Sequence, residues 1–407
     1  MAAAMEQVMA AALARRRKAG SLRELPCNED SGQGSASAFD STEARRHFED
    51  FSSNDYLGLA RCPKLLEAAT AEARCWQDAD GRRLIGSTGS RLISGDSAQA
   101  REFEAFLRGF HNRDAALLFA SGYDANVGLL SSVPRPGDAV FLDELVHNSV
   151  VMGSRLGRQA KVFCFRHNDH GRVGSALIAV ESIYSMDGDA APLAALLTAA
   201  ATAGAAVVVD EAHATGVLGA GGRGLLSALG LERHPALLAS VHTFGKALGA
   251  HGAAVLGSAT LRTYLCNYAW PLVYSTAPPP HALAAARCAY RRAAGADGEK
   301  RRRRVLALSR LNVRAPAEAA GFGLAAVTAP PLPPHALVHG GGDSPIVAVL
   351  LPGNARVVHV AAALRGHGLD VRPIRAPTVP AGTERLRVCL HAHNSRRAVL
   401  SLAHHIR

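Results

Sequence analysis

An acid that follows directly on an apolar run, and a lysine set among glycines at the end of another, are the residues of this chain best suited to chemistry. The acid is Asp210, in Val207-Val208-Val209-Asp210-Glu211-Ala212-His213. In open α/β sheets the ligand crevice lies beyond the carboxyl ends of the strands, so a carboxylate delivered there serves as a helix cap, a metal ligand or the partner of a cationic cofactor atom. His213 reads equally well as a core histidine. Lys246 stands in His242-Thr243-Phe244-Gly245-Lys246-Ala247-Leu248-Gly249, where Gly245 and Gly249 allow backbone and ligand to approach closely. The chain has only five lysines (Lys18, Lys64, Lys161, Lys246 and Lys300), so one at the end of an inner strand is unlike a solvated surface lysine. A desolvated lysine near positive charge becomes a nucleophile that forms Schiff bases. Such a lysine, paired with an acid for a pyridinium nitrogen, is what a pyridoxal phosphate site requires. The cofactor also needs a phosphate cradle and a surface for its ring. Ser121-Gly122-Tyr123-Asp124-Ala125-Asn126 follows an apolar run and opens a helix-like one, so its backbone N–H groups can hold a dianion. Thr243 adds a hydroxyl, and His147, after the run Ala139–Leu142, can stack on the ring.

The elements that must position these groups are short continuous apolar runs: Ala115–Phe119, Ala139–Leu142, Val162–Phe165, Ala176–Val180, Ala205–Val209, Leu237–Val241 and Ala253–Leu256. None alternates with period two, which predicts strands covered on both faces in a mostly parallel sheet flanked by helices. A smaller α/β unit follows, with a strand at Ile346–Leu351, a helix around Ala355–His367 and a strand near Leu386–Leu390. The expected organisation is an N-terminal arm and linker over 1–50, a large α/β domain over 51–290 and a small α/β domain over 291–407, with Asn28–Ser41 as linker. The charge-free stretch Ala190–Val209 is long enough to span a bilayer. Pro192 and Gly204 divide it into a helix, a stop and a strand, so no membrane segment is expected.

Composition narrows the class. At 407 residues, 48% hydrophobic and 19% charged, the chain is long enough for a large core and is neither disordered nor fibrous. Seven cysteines without a Cys-x-x-Cys pair exclude a disulfide framework or a zinc ribbon, and no metal is expected. The net charge of +11 is mostly arginine. The run Lys300–Arg304 lacks interleaved aromatics for base stacking, so nucleic acid is not expected as a partner; an acidic carrier protein or the phosphates of coenzyme A are alternatives. The Arg-rich start is similar to a transit peptide but carries Glu6 and Glu24 and is poor in serine. A cytoplasmic enzyme is expected, with an organellar address as the alternative.

Six motifs together carry a resemblance to a known family: Phe51–Gly58 (FSSNDYLG), Gly86–Gly95 (GSTGSRLISG), Ser121–Asn126 (SGYDAN), Tyr184–Asp189 (YSMDGD), Val209–Gly216 (VDEAHATG) and Thr243–Lys246 (TFGK). The chain resembles the α-oxoamine synthases, pyridoxal phosphate enzymes of fold type I (aspartate aminotransferase-like). Within that family, Ile374–Arg387 (IRAPTVPAGTERLR) and Leu13–Arg23 are most similar to the branch that serves biotin synthesis. The resemblance implies a large, mostly parallel-sheet domain with a smaller C-terminal α/β domain. It also implies a homodimer with sites at the subunit interface. The implied reaction is a decarboxylative condensation of L-alanine with a pimeloyl thioester, on coenzyme A or a carrier protein, giving 8-amino-7-oxononanoate. Glycine- or serine-using relatives and a non-catalytic partner subunit are the alternatives.

Residue by residue, Lys246 would hold the cofactor and shuttle a proton, Asp210 would pair with the ring nitrogen, and His147 would stack on the ring. Ser185 and His213 would contact the phenolic oxygen, and Gly122, Tyr123 and Thr243 would hold the phosphate. Asn54 and Arg387 would bind the amino acid carboxylate. Arg23, Thr378 and Arg375 would line the acyl side, and Ser275 and Thr276 would reach the partner's cofactor. The sequence departs from the family pattern at Ala376, at Gly86-Ser87-Thr88-Gly89 and in the linker, all on the substrate side.

Overall fold

The seven apolar runs form one seven-stranded sheet in a computed structural model that describes residues 2–20, 22, 48–77, 81–82, 84–157, 160–169, 176–318, 338–340 and 342–406. Arg23 and the expected linker Asn28–Ser41 lie outside the described residues. The strands are Ala115–Phe119, Ala139–Asp143, Lys161–Phe165, Leu177–Glu181, Ala206–Asp210, Leu237–Thr243 and Ala253–Gly257. Their spatial order is 115–119, 253–257, 237–243, 206–210, 177–181, 139–143, 161–165. Strand 253–257 runs antiparallel to both neighbours, and every other pairing between adjacent strands is parallel. Residues 244–252 are too few for a helical crossover, which explains the exception. Lys246 sits in that tight connection.

Inner strands such as Leu177–Glu181 are buried along their whole length, as a continuous apolar run covered on both faces requires. The expectation fails at Lys161–Phe165, where Val162 and Phe163 are exposed. That strand is the sheet edge, with one neighbour only, so its hydrophobicity reflects pairing rather than two-sided cover. Helix Leu193–Thr202 and strand Ala206–Asp210 divide the charge-free stretch as its Pro and Gly predict. Among the described residues no helix is long and apolar enough to cross a membrane.

Two compact units divide the chain: 54–185 with 189–305, and 1–53 with 186–188 and 306–407. The smaller unit has a four-stranded antiparallel sheet of Arg372–Ile374, Arg385–Cys389, Ile346–Leu350 and Val338–Gly340, and helices Asn354–Gly366 and Arg396–His405. A two-residue strand, Glu49–Asp50, pairs with Leu369–Asp370. Beside it Asp50, His391 and His393 bring ligand-type atoms within 4.8 Å of one another. His391 Nε2 lies 3.0 Å from both Ser53 O and Ser53 Oγ, and its Nδ1 lies 3.2 Å from Asn394 Oδ1, with Asn394 Nδ2 donating to Asp50 O at 2.9 Å.

The basic run is committed within its own unit. Arg301 pairs with Asp297 and donates to Leu57 O, Arg302 is buried and bonds Glu299 and Ala293 O, and Arg303 pairs with Glu299. These are i,i+3 and i,i+4 contacts of a helix together with tertiary anchors, and they engage Arg301, Arg302 and Arg303 within the chain.

Three acids close three neighbouring strands: Asp143, Glu181 and Asp210 are each the last strand residue. His167 bridges from Asp143, at 3.0 Å, to Asp189, at 2.7 Å, and packs edge-on against Tyr184. Burial opposes its charge, but the two carboxylates outweigh that and raise its pKa to about 10. Since the folded value lies above the ordinary 6.5, this contribution to stability is fully present below pH 6.5 and is lost as pH rises through about 10. His167→Gln is therefore expected to lower Tm at pH 7 by about 3 °C or more, with the difference closing above pH 10. Thermal melts across that pH range check this; an equal deficit at every pH would contradict it.

Candidate active site

Strand ends deliver the groups and short loops fix them. Lys246 follows strand Leu237–Thr243, and its loop is closed by Phe244 N–H to Gly252 O at 2.9 Å and Gly249 N–H to Lys246 O at 2.8 Å. Gly249 has φ +61°, and a Cβ there would stand 2.2 Å from Ala60 N, so the position requires glycine. The half-buried Lys246 Nζ lies 2.8 Å from His213 Nε2. His213 Nδ1 lies 2.8 Å from Tyr56 Oη, which donates to Asn54 Oδ1 at 3.0 Å. His213 thus bridges Lys246 and Tyr56 through its two ring nitrogens. The line Lys246–His213–Tyr56–Asn54 holds the amine in place.

Asp210 is buried, and each of its oxygens has a donor: Asn126 Nδ2 at 2.7 Å and Ala212 N–H at 2.9 Å. These donors stabilise the anion. Asn126 also donates to Ser149 Oγ at 3.0 Å, and Ser149 in turn meets His147 Nδ1 at 2.7 Å through Oγ and 3.2 Å through N–H. His147 caps helix Asn148–Leu156. Burial, and secondarily Lys246, pull its pKa below 6.5 against the opposing effect of Asp210, leaving a neutral ring suited to stacking. Glu211 of the same motif turns away: it is fully buried and accepts from Leu225 and Leu226 N–H at 2.7 Å each. In Asp-Glu-Ala-His, then, Asp210 and His213 serve the site and Glu211 the scaffold.

Ser121 caps the helix Gly122–Ser132, accepting from Asp124 N–H at 3.1 Å. Gly122 faces Thr243, whose Cβ and Oγ1 would each be 3.4 Å from a Cβ built on the glycine. A helix N-terminus, a hydroxyl and a position without a side chain make an anion cradle. Tyr123 is exposed beside it. Ser185 is buried after strand Leu177–Glu181, and its N–H donates to Glu181 Oε2 at 3.1 Å. Buried Asn126 Oδ1, Glu181 Oε1 and Ser182 Oγ have no hydrogen-bond partner among the described residues. A half-buried amine beside a histidine ring nitrogen, a satisfied carboxylate, a neutral ring, an anion cradle and orphaned polar atoms fit pyridoxal phosphate.

All the cofactor-side residues lie in the larger unit, as do Asn54, Ser275 and Thr276. Arg375, Thr378 and Arg387 lie in the smaller one. Arg375 donates to Gly20 O at 2.7 Å and Leu22 O at 3.1 Å, so its guanidinium anchors the chain just before Arg23. Thr378 N–H closes a turn on Arg375 O, and the buried Arg387 contacts Cys389 Sγ at 3.2 Å. The motif reading quotes Tyr56 and Asn126 without giving them roles, and it passes over Glu181. Glu181 had a signal: Leu-Ile-Ala-Val-Glu181 repeats the pattern of Val-Val-Val-Asp210, an acid closing an apolar strand.

A model of the family described as aminotransferase class I and II matches residues 46–406. The 8-amino-7-oxononanoate synthase of Halorhodospira halophila is 39% identical over 408 residues, covering 98% of this chain and 94% of that protein. The protein of the same name from Emericella nidulans is 38% identical over 381 residues, covering 85% of each. Among solved structures, a serine palmitoyltransferase from S. paucimobilis with a bound PLP–myriocin aldimine aligns with a TM-score of 0.74 at 29% identity, over 88% of this chain and 85% of that one. An 8-amino-7-oxononanoate synthase from Francisella tularensis aligns with a TM-score of 0.70 at 25% identity, over 88% and 96%. The chain belongs to the class I and II aminotransferase family, as an α-oxoamine synthase of fold type I whose cofactor is pyridoxal phosphate.

Proposed function

We propose that this enzyme condenses L-alanine with a pimeloyl thioester, with loss of carbon dioxide, to give 8-amino-7-oxononanoate. The observation that carries this reading is the 39% identity, over 98% of the chain, to a relative of that name. When bound, pyridoxal phosphate supplies an electron sink for the pair left as the amino acid Cα–H bond breaks. The chain supplies the rest. Lys246 Nζ holds the cofactor and, once released by the amino group of the substrate, takes the Cα proton as general base. His213 Nε2 keeps that nitrogen within reach. Asp210, which accepts from Asn126 and Ala212, provides the counter-charge for the ring nitrogen. His147 covers the ring; Asn54 and Arg387 take the substrate carboxylate, and Arg23, Arg375 and Thr378 the acyl side. The new C–C bond forms between alanine Cα and the thioester carbonyl carbon, and the C–S bond breaks to release the thiol. The carboxyl leaves as carbon dioxide, and a proton returns to Cα.

We infer a homodimer in the cytoplasm, where acyl thioesters are made. Exposed Ile85, Leu92, Ile93, Trp270 and Tyr274, large apolar side chains in two segments, support the dimer as a surface for a second copy. Those segments are joined by Ser87 Oγ to Ala277 O at 2.6 Å and Ala277 N–H to Gly89 O at 2.9 Å, next to Ser275 and Thr276. A serine-using activity is the second reading, favoured by the serine palmitoyltransferase likeness. Purified protein given L-alanine, glycine or L-serine, each with pimeloyl and long-chain thioesters, separates the two by the rate of thiol release. L-Alanine with the pimeloyl thioester is expected to exceed L-serine by about 10²-fold in kcat/KM. A preference for L-serine and a long chain would overturn the proposal.

A further inference from the structure

Glu181 is a residue the reaction as described does not use, and its surroundings are unusual. It closes strand Leu177–Glu181 in register with Asp210, the last residue of the neighbouring parallel strand, so two carboxyl groups stand side by side. It is only 2% exposed. Ser185 N–H donates to its Oε2 at 3.1 Å, and the His147 backbone lies near the same side chain. These are the backbones of the residue for the phenolic oxygen and the residue that covers the ring. Its Oε1 is buried without a partner among the described residues. Asp210, by contrast, has a donor on each oxygen.

We propose that Glu181 is a positioning residue that carries a proton beside Asp210, orienting Ser185 through its N–H group while leaving Asp210 the sole anion for the cofactor ring nitrogen. Two adjacent buried carboxyls do not both ionise, and the one with an orphaned oxygen keeps the proton. The groups that face Glu181 are Asp210, Lys246, His147 and Tyr184. Burial first, then repulsion from Asp210, push its pKa up to about 8, with Lys246 and the backbones of Ser185 and His147 opposing. A neutral acid accepts the Ser185 N–H on its carbonyl oxygen and adds no second negative charge. The inference rests on the assignment of the cofactor to this site and adds to it a division of labour between the two acids.

The test uses holoenzyme: wild type, Glu181→Gln and Glu181→Ala, each checked for fold by thermal melt. The readouts are the cofactor dissociation constant and the pH titration of the visible absorbance of the cofactor bound to Lys246. Glutamine reproduces a neutral carboxyl, so its cofactor affinity is expected within about threefold of wild type and its absorbance midpoint below pH 7.5 within about 0.3 unit. Alanine removes the acceptor for the buried Ser185 N–H and is expected to weaken cofactor binding about tenfold or more. Wild type alone should show an added absorbance step near pH 8. A glutamine variant whose midpoint moves by about one unit or more, as loss of a charge requires, would overturn the proposal. So would a glutamine variant as impaired as alanine, or a wild-type titration with no step around pH 8. Were borohydride to fix no vitamin B6 on wild-type Lys246, the assignment of the cofactor site would fail instead, a separate result.

Discussion

Lys246→Ala is expected to lose turnover by about 10⁴-fold or more and, with it, the visible absorbance of the bound cofactor. Both losses have one cause. On the proposed function the side chain that fixes the cofactor is also the base for the substrate Cα, so the variant would lose the covalent tether and the proton acceptor together. The fold should survive, because Lys246 is half-buried and its loop is held by backbone bonds of Phe244, Gly249 and Gly252. Lys246→Arg sharpens the test. It keeps a cation beside His213 and Asp210, but a guanidinium does not deprotonate at working pH, so neither function returns. Absorbance spectra and thiol-release rates of the three proteins measure this, and turnover within tenfold of wild type in either variant would contradict the role.

Asp210→Asn is the second large effect. The amide preserves shape, and Ala212 N–H can still find the side-chain oxygen. Asn126 Nδ2, however, now meets either a weaker acceptor or another donor, because Asn126 itself is fixed by Ser149. The anion is gone. On the proposed function Asp210 would supply the counter-charge for the ring nitrogen of the bound cofactor, and the amide would not. Turnover and solvent exchange of the L-alanine α-proton are expected to fall together by about 10²–10³-fold, while much of the cofactor stays bound at Lys246. Exchange followed by NMR in deuterated solvent checks this; exchange at the wild-type rate would contradict it.

The sequence made some of this legible and hid the rest for physical reasons. Seven strands and the placement of Asp210 and Lys246 follow from local pattern: an apolar run sets a buried strand, and the next polar residue emerges at its end. The edge position of Lys161–Phe165 does not follow, since hydrophobicity cannot tell one-sided pairing from two-sided cover. The pairing of Glu49–Asp50 with Leu369–Asp370 is equally hidden, being two residues long and joining distant parts of the chain. On the site, Tyr56 and Asn126 act only through side chains that meet across the fold, with His213 and with Asp210. Nothing in their local spacing marks them. Arg375 stands where the motif places it, but its bonds to Gly20 and Leu22 carbonyls give it a duty of anchoring that no motif records.

The most direct measurement is borohydride reduction of the holoenzyme followed by peptide mass mapping. A pyridoxyl phosphate adduct on the peptide containing Lys246, in near-stoichiometric yield, is the expected result. An unmodified Lys246 with the adduct on another lysine, or on none, would contradict the assignment of the site.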